Sequence, residues 1–402
     1  MVYVLNQRNQ PLMPTSPSKA RLLLRNKEAR VVRREPFTIQ LRKATGETVQ
    51  PVTLGVDSGF VHIGLSAVTE QKELYAADVK LRTDIIELNS ERRQYRRARK
   101  NRKTWYRQPR FDNRKKPKGW LAPSIQHKLD SHVKLINELK AILPIAKTVI
   151  EVAAFDIQKI KNPDIEGTSY QNGDQVGFWN VREYVLHRDG HRCQVPSCKH
   201  KDKILNIHHI ESRITGGDRP DNLITLCETC HDRHHKGKLE LKIRPSPSFK
   251  AETFMSMVRW RLVNETGASH TYGYLTKSGR IARGLEKSHI NDAFIIAGGS
   301  DQERVHPLAV KQVRKCNRKL FKGDRSHLPN TAAREVHGFR RFDKVRFQKQ
   351  ECFVFGRRST GYFDLRTLSG ISVNKSAKAK DLTLLTRART LLTERRKARM
   401  VA

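Results

Sequence analysis

The chain lacks any run approaching the roughly 20 apolar residues of a membrane span, so transmembrane helices are not expected. Nor does it open with a signal-like stretch. MVYVLNQRNQPLMP turns at once to polar residues and prolines, and a cytosolic location is expected. Cysteine is scarce, six in 402 residues, which argues against a disulfide scaffold. Four of the six, Cys193, Cys198, Cys227 and Cys230, fall in one short region, a clustering that suits a metal site in a reducing compartment. Cys316 and Cys352 read as ordinary thiols. No internal repeat is visible.

The shortage of acids is the larger signal. Against 79 Lys and Arg there are only 40 Asp and Glu, which leaves a net charge of +39. A compact protein tolerates that self-repulsion best with a polyanion bound, so nucleic acid is the expected partner. A ribosomal-type basic protein would satisfy the charge as well as a nuclease, so charge alone names no chemistry. The length allows two to four compact units at about 100 to 200 residues each.

Residues 1–50 read as a small basic α+β module: a strand at Val2 to Leu5, a Pro-rich turn from Pro11 to Pro17, a helix from Lys19, then strands at Ala29 to Val32 and Phe37 to Leu41. In residues 51–81 an apolar run ends at Asp57 and Gly59, and two strand-like runs follow it. Residues 82–120 turn helical and basic, with Arg92, Arg93, Arg96, Arg97, Arg99, Lys100, Arg102 and Lys103 packed into a few turns. Such a helix has no apolar face to bury, and like charges one turn apart repel, so it needs phosphates around it. A disordered basic tract is the alternative. In residues 121–160 Pro123 opens a helix with Ile125, Leu129, Val133, Ile136 and Leu139 at helical spacing, followed by the strand AKTVIEVAAF. Glu151 lies in the middle of that strand, where an unpaired acid is costly, and is a site candidate.

Residues 161–248 read as an inserted domain with linkers. Beyond it, residues 249–300 hold a helix from Ala251 to Val263, a strand around His270 to Leu275 and a helix near Lys287 carrying His289 and Asp292. Residues 301–402 are basic, with strand-like runs at Lys344 to Phe347, Cys352 to Phe355 and Tyr362 to Leu365, and end in a basic helical tail.

In the insert, the two cysteine pairs bracket a strand pair, and four thiolates can give Zn²⁺ a closed tetrahedral shell with no room for substrate. Such a zinc is structural, contributing folding energy to a domain with little core. A zinc ribbon that only binds is the plainer reading. His208, His209, Asn222 and His231 argue for more, because with the cysteines they resemble the HNH nuclease motif, a β-hairpin and helix around one divalent cation. That resemblance implies His209 as general base, His208 and His231 as metal ligands, and Asn222 as a brace or a ligand. The spacing C-x4-C in the first pair leaves His191, His200, His234 and His235 as substitutes for Cys198.

Asp57, Glu151 and Asp292 are the residue types that two-metal phosphodiester hydrolysis needs, although each alone is weak and Asp57 could simply close an Asx turn. Their order decides the reading. GVDSG, IEV, the HNH insert and HINDA resemble the RuvC-I, RuvC-II, HNH, RuvC-III order of the IscB family, transposon-encoded relatives of type II CRISPR effectors. PLMP at Pro11 to Pro14, the Arg-rich bridge helix, RFDNR followed by GWL, and GRRSTGYF match as well, so the resemblance covers nearly the whole chain. Ser58 departs from it, since proline is usual after the first acid.

The resemblance implies an α/β multidomain fold in which an RNase H-like (RuvC) domain is split by the bridge helix and a zinc-stapled ββα-metal HNH insertion, with small N-terminal α+β and C-terminal β-rich basic domains. It implies Mg²⁺ or Mn²⁺ held by Asp57, Glu151 and Asp292 with His289 assisting, and a second cation on His208 and His231. It further implies a long guide RNA (omega RNA) as partner, double-stranded target DNA as substrate and a monomeric ribonucleoprotein. Arg340, Arg341, Arg357 and Arg358 are candidate contacts to RNA or to the target-adjacent motif, with solvated surface arginine the alternative. A guide-independent homing or restriction enzyme, or an RNA-binding protein with relic centres, are the rival functions.

Overall fold

The computed structural model describes residues 1–100, 119–152, 181–199, 204–211, 222–241, 250–314 and 333–395. The chain divides into two compact units, one of Met1–Lys115, Pro123–Phe155 and Phe254–Ala402, the other of Lys116–Ala122 and Asp156–Thr253. Among the described residues no helix is long and apolar enough to cross a membrane.

The first unit opens with strands β1 (Val2–Leu5) and β2 (Pro11–Thr15), helix α1 (Pro17–Arg25) and strands β3 (Ala29–Arg34) and β4 (Phe37–Leu41). They form a sheet of order β2-β1-β4-β3 over a core of Val2, Val4, Ala20, Ala29, Ile39 and Leu41. The Ser16 side chain caps α1 by accepting from the Lys19 amide at 3.2 Å. Where a Pro-rich turn is expected from Pro11, the chain forms β2 instead. Its prolines are tolerated because β2 is an edge strand with a partner on one side only.

Next come β5 (Val52–Ser58), β6 (His62–Val68), β7 (Glu73–Lys80), α2 (Ile85–Lys100), α3 (Pro123–Lys140) and β8 (Ile145–Val152). Glu151 lies next to the last described residue of β8, and residues 153–155 of the expected strand lie outside the described residues. The second unit supplies α4 (Val181–Arg188), a hairpin of β9 (Leu205–His209) and β10 (Leu223–Cys227), and α5 (Glu228–His235). Its core is small, with Val195, Ile224, Leu226, Cys227 and Cys230 buried together.

The chain then runs through α6 (Lys250–Thr266), β11 (Ser269–Tyr272), α7 (Gly273–Ala282), α8 (His289–Ile296) and β12 (Leu308–Gln312). A strand is expected to continue to Leu275, but it stops at Tyr272 and α7 begins. Helix α7 is held by packing rather than by propensity: Thr276 is buried, and a Cβ on Gly279 would lie 2.8 Å from Ile295. The C-terminal part forms β13 (Lys344–Phe347), β14 (Gln350–Arg357), β15 (Tyr362–Arg366), β16 (Ser372–Lys378), β17 (Thr383–Thr386) and β18 (Leu391–Arg395). Strands β13 to β17 make a separate sheet over Phe339, Val345, Phe347, Val354, Phe363 and Leu365.

The larger sheet has the order β11-β8-β5-β6-β7-β12-β18. Strands β5, β6 and β7 form an antiparallel meander, β8 and β11 add in parallel on one side, and β12 adds in parallel to β7 on the other. Strand β18 closes that edge, antiparallel to β12. The sheet therefore crosses the expected boundary at residue 301 and takes in Leu308–Gln312 and Leu391–Arg395. A helical tail is the expectation at the end of the chain. Residues 391–395 are strand, and the rest of the expected tail, 396–402, lies outside the described residues; at 391–395 the unpaired edge of β12 offers five residues of ladder that outweigh the helix preference of Leu, Glu and Arg.

Helix α8 lies directly on this sheet. A Cβ on Gly55 would fall 2.1 Å from the Ala293 carbonyl oxygen, and one on Gly64 would fall 1.8 Å from that of His289. Only glycine at both points lets the helix backbone come so close. Ile290, Ala293, Phe294 and Ile296 are buried beneath it. At the same level Glu73 is fully buried on β7, accepting from Ser66 Oγ at 2.6 Å, Arg304 Nε at 2.8 Å and the Val305 amide at 3.1 Å. Replacing Gly64 with alanine should lower unfolding free energy by about 1 to 3 kcal/mol, the usual cost of overpacking. Gly46→Ala, with nothing within 4 Å of the new methyl, is the control. Equal thermal midpoints for the two variants would contradict the close approach.

Candidate active sites

The sheet gathers residues that are far apart in sequence. Asp57 is the penultimate residue of β5, and Glu151 stands beside it on β8, where Val56 pairs with Ile150 and Ser58 Oγ donates to the Glu151 carbonyl at 2.8 Å. Helix α8 brings the other two. His289 Nδ1 lies 2.6 Å from Asp57 Oδ2, and Asp292 Oδ1 lies 2.9 Å from Arg280 Nε on α7. Gly273 leaves room for the Glu151 carboxylate, since a Cβ there would sit 3.1 Å from Oε1. Ser58, where proline would rigidify the turn, instead ties β5 to β8 through its hydroxyl.

The crowding is visible in the electrostatics. Burial, and then the charges of Asp57 and Asp292, push the Glu151 carboxyl up to about 7, against the pull of Thr276 and His289. Asp292 is also raised, first by burial and then by Asp57, while Arg280 and His289 draw it down. His289 is raised chiefly by its hydrogen bond to Asp57, so the imidazolium form is favoured. A divalent cation would relieve this stress, and three carboxylates are the hard oxygen donors that Mg²⁺ or Mn²⁺ takes.

Two residues join this centre that the motifs did not single out. The His62 ring stacks on that of His289, centroids 5.3 Å apart and planes within 2°, and His62 Nδ1 lies 3.0 Å from Asp78 Oδ1. Asp57, Gly64 and Asp78 face one another across β5, β6 and β7. The strand register carried that signal, but it becomes readable only once the pairing of the meander is fixed.

In the second unit the Sγ atoms of Cys193, Cys198, Cys227 and Cys230 lie within 4.8 Å of one another, and Cys198 Sγ is 3.7 Å from Cys227 Sγ. Four clustered thiols fit a tetrahedral Zn²⁺ and leave no open position. Cys198 belongs to this set in spite of the C-x4-C spacing. Cys352, by contrast, is isolated in the C-terminal core and its thiol is pushed up to about 11 by burial. Cys316 lies outside the described residues.

A second cluster stands on the same hairpin. Ring nitrogens of His208, His231 and His235 lie within 4.8 Å of one another, and His235 Nε2 is 3.2 Å from His231 Nε2. His235 joins the imidazoles, not the cysteines; its place one helical turn after His231 on α5 is the signal for it. Burial pushes His208 down to about 4, helped by His234, His231, His235 and His209. His231 is lowered as well, by burial first and then by His235. The neutral imidazole is the ligand form, so these residues fit a divalent cation. His209 pairs with Leu223 while His208 pairs with Ile224, and neighbouring strand residues face opposite ways. Asn222, fully buried, accepts from the Glu211 amide at 2.8 Å and donates to the Glu211 carbonyl at 3.1 Å. It braces the turn after β9.

An HNH endonuclease family model matches residues 193–237, the stretch that holds both clusters. This is an HNH endonuclease domain. The chain is accordingly a metal-dependent DNA endonuclease. A second model, RRXRR protein, matches residues 2–173. Anaredoxin of Nostoc sp. (strain PCC 7120 / SAG 25.82 / UTEX 2576) is 31% identical over 64 residues, which are 16% of this chain and 82% of that protein. Through that stretch the chain belongs to the same family.

The arginine-rich segment is helical through Lys100, with Arg92 and Arg93 exposed. The side chains of Arg96, Arg97, Arg99 and Lys100 are not described, and Arg102, Lys103, His200 and the RFDNR segment lie outside the described residues. In the C-terminal part Arg340 pairs with Glu335 at 2.7 Å, Arg358 donates to Ser376 at 3.0 Å, Arg357 donates to the Arg334 carbonyl, and Arg341 stacks 4.6 Å over Phe342. These four arginines are engaged within their own domain.

Two outcomes follow from this geometry. Removing zinc with a chelator should unfold the HNH domain and leave the transition of the seven-stranded sheet in place; calorimetry showing no change after verified metal loss would rule out the cysteine site. Glu151 binds its proton more tightly folded than unfolded, so its share of stability is fullest below about 4.5 and is lost as pH rises through about 7. In metal-free protein Glu151→Gln should therefore raise the thermal midpoint at pH 8 by about 2 °C or more and change it little at pH 4.

Proposed function

We propose that the protein is an RNA-guided double-strand DNA endonuclease with two nuclease centres. The HNH centre cuts the guide-paired strand, and the carboxylate centre, on an RNase H-like (RuvC) sheet, cuts the displaced strand. The observation that carries the two-centre reading is the convergence of Asp57, Glu151, His289 and Asp292 from three separate elements, with His289 Nδ1 2.6 Å from Asp57 Oδ2. The meander of β5, β6 and β7 extended by parallel β8 supports the RNase H-like assignment.

In the HNH centre His209 takes a proton from water, whose oxygen attacks phosphorus as the bond to the 3′ oxygen breaks. His208 and His231, joined by His235, would hold the cation, which would supply charge stabilisation at the scissile phosphate and the departing oxygen. Asn222 keeps the turn after β9 in register. In the other centre Asp57, Glu151 and Asp292 would hold Mg²⁺ or Mn²⁺, which would supply the charge that activates water and eases the leaving group, and His289 positions Asp57 and exchanges protons with the reacting groups. Arg280 pairs with Asp292.

The guide reading has different support. A charge of +39, the arginines of α2 and the match to the RRXRR family, which occurs in IscB- and HNH-type proteins, all suit a protein wrapped around a long structured RNA. Omega RNA is the partner this implies, with the target read by base pairing, and the particle acts in the cytoplasm as a monomeric ribonucleoprotein.

Cleavage assays on a plasmid with the cognate guide separate the readings. His209→Ala should leave the paired strand intact and Asp57→Ala the displaced strand, so that each variant nicks. A single change that stops both cuts would refute two independent centres. Cutting without any RNA would instead favour a guide-independent enzyme, and RNA binding without cutting a relic.

A further inference from the structure

A line of aromatic side chains runs along β11, the edge strand next to β8. Trp260 on α6 contacts His270 on β11 with ring centroids 5.2 Å apart, His270 contacts Tyr272 at 5.5 Å, and Tyr272 lies parallel to Tyr274 within 9° at 6.0 Å. The two ends are open to solvent, Trp260 45% and Tyr274 63% exposed, and Leu275 beside them is 50% exposed. Single exposed apolar residues are ordinary, but a contiguous row of rings is not. Its position is specific. Strand β11 is the edge of the seven-stranded sheet, Thr271 pairs with Glu151, and Gly273, between the two tyrosines, abuts the Glu151 carboxylate.

We propose that Trp260, His270, Tyr272 and Tyr274 form a stacking platform for the bases of single-stranded DNA whose backbone passes the carboxylate centre. The proposal rests on that centre being a DNA-cleaving site. The chemistry favours an unpaired strand: bases in a duplex have their faces covered by each other, whereas an unpaired base offers a π-face that any aromatic ring can stack upon. The flanking charge suits the backbone, with the Arg259 guanidinium 5.6 Å over the Trp260 ring and Lys277 exposed on α7. His270 and Tyr272 alternate with Thr271 to the face opposite Glu151, so a strand that wraps the open edge of β11 can stack its bases on the rings and lead its backbone toward Glu151.

The test is fluorescence anisotropy of a labelled single-stranded oligonucleotide with the full-length protein, without divalent metal, at raised salt where phosphate contacts contribute least. Tyr274→Ala and Trp260→Ala should each weaken binding by about 5- to 100-fold, the range that stacking one base spans. Tyr274→Phe should bind like wild type, and the same oligonucleotide carrying abasic sites should lose affinity without adding to the loss in Tyr274→Ala. A duplex of the same sequence should bind all variants alike. Unchanged single-strand affinity in both alanine variants, or an equal loss for duplex, overturns the platform. Asp57→Ala separates this from the underlying reading: it should bind the single strand normally and, with the cognate guide and plasmid, leave the displaced strand uncut. If Asp57→Ala still cuts the displaced strand, the carboxylate centre itself is misassigned, whatever the aromatic variants do.

Discussion

The contact on which the sheet unit depends is the backbone-to-backbone approach of α8 to β5 and β6 over Gly55 and Gly64. With no side chains at those points the helix sinks onto the sheet, and its N-terminal turn puts His289 against Asp57 and Asp292 near both Asp57 and Glu151. The buried face of α8 makes this packing favourable, each buried Ile or Phe contributing about 1.5 to 3 kcal/mol. The consequence is electrostatic stress, because three acids now share one neighbourhood and Glu151 holds its proton to about 7. His289 and Arg280 partly offset that stress.

The HNH domain solves a different problem. It is too small to fix a hairpin by burial alone, so its cysteines gather β10, the start of α5 and the loop after α4 into one core. The register that results sets which face each histidine takes. A slip of one residue between β9 and β10 would exchange the places of His208 and His209, turning the imidazole that completes the cluster into the one that faces away. The thiols and the imidazoles thus divide the work between them: soft donors close one shell completely, and nitrogen donors next to it leave a partly exposed set.

Much of this was readable in the residues. The cysteine and histidine pattern located the HNH cluster, and the motifs around Asp57, Glu151 and Asp292 named side chains that the sheet and α8 bring together. Three features were not. His62 and Asp78 carry no motif, because their partnership depends on cross-strand register that no local pattern encodes. Helix α7 begins with glycine and carries another in its second turn, so propensity argued against it and packing on α8 decided otherwise. The segment at 391–395 has the composition of a helix end, but a vacant strand edge more than 75 residues earlier in the chain claimed it.

That last pairing also bears on how the C-terminal sheet joins the rest. Strand β12 ends at Gln312, paired with Leu391, and the Val313 amide donates to the Thr390 carbonyl at 2.8 Å. The chain leaves the large sheet and returns to it at a single doorway. An excursion whose two ends touch can be lengthened, shortened or exchanged for another module without shifting the register of the strands that hold the acids. The five-stranded domain is therefore an insertion whose two ends meet where Gln312 pairs with Leu391.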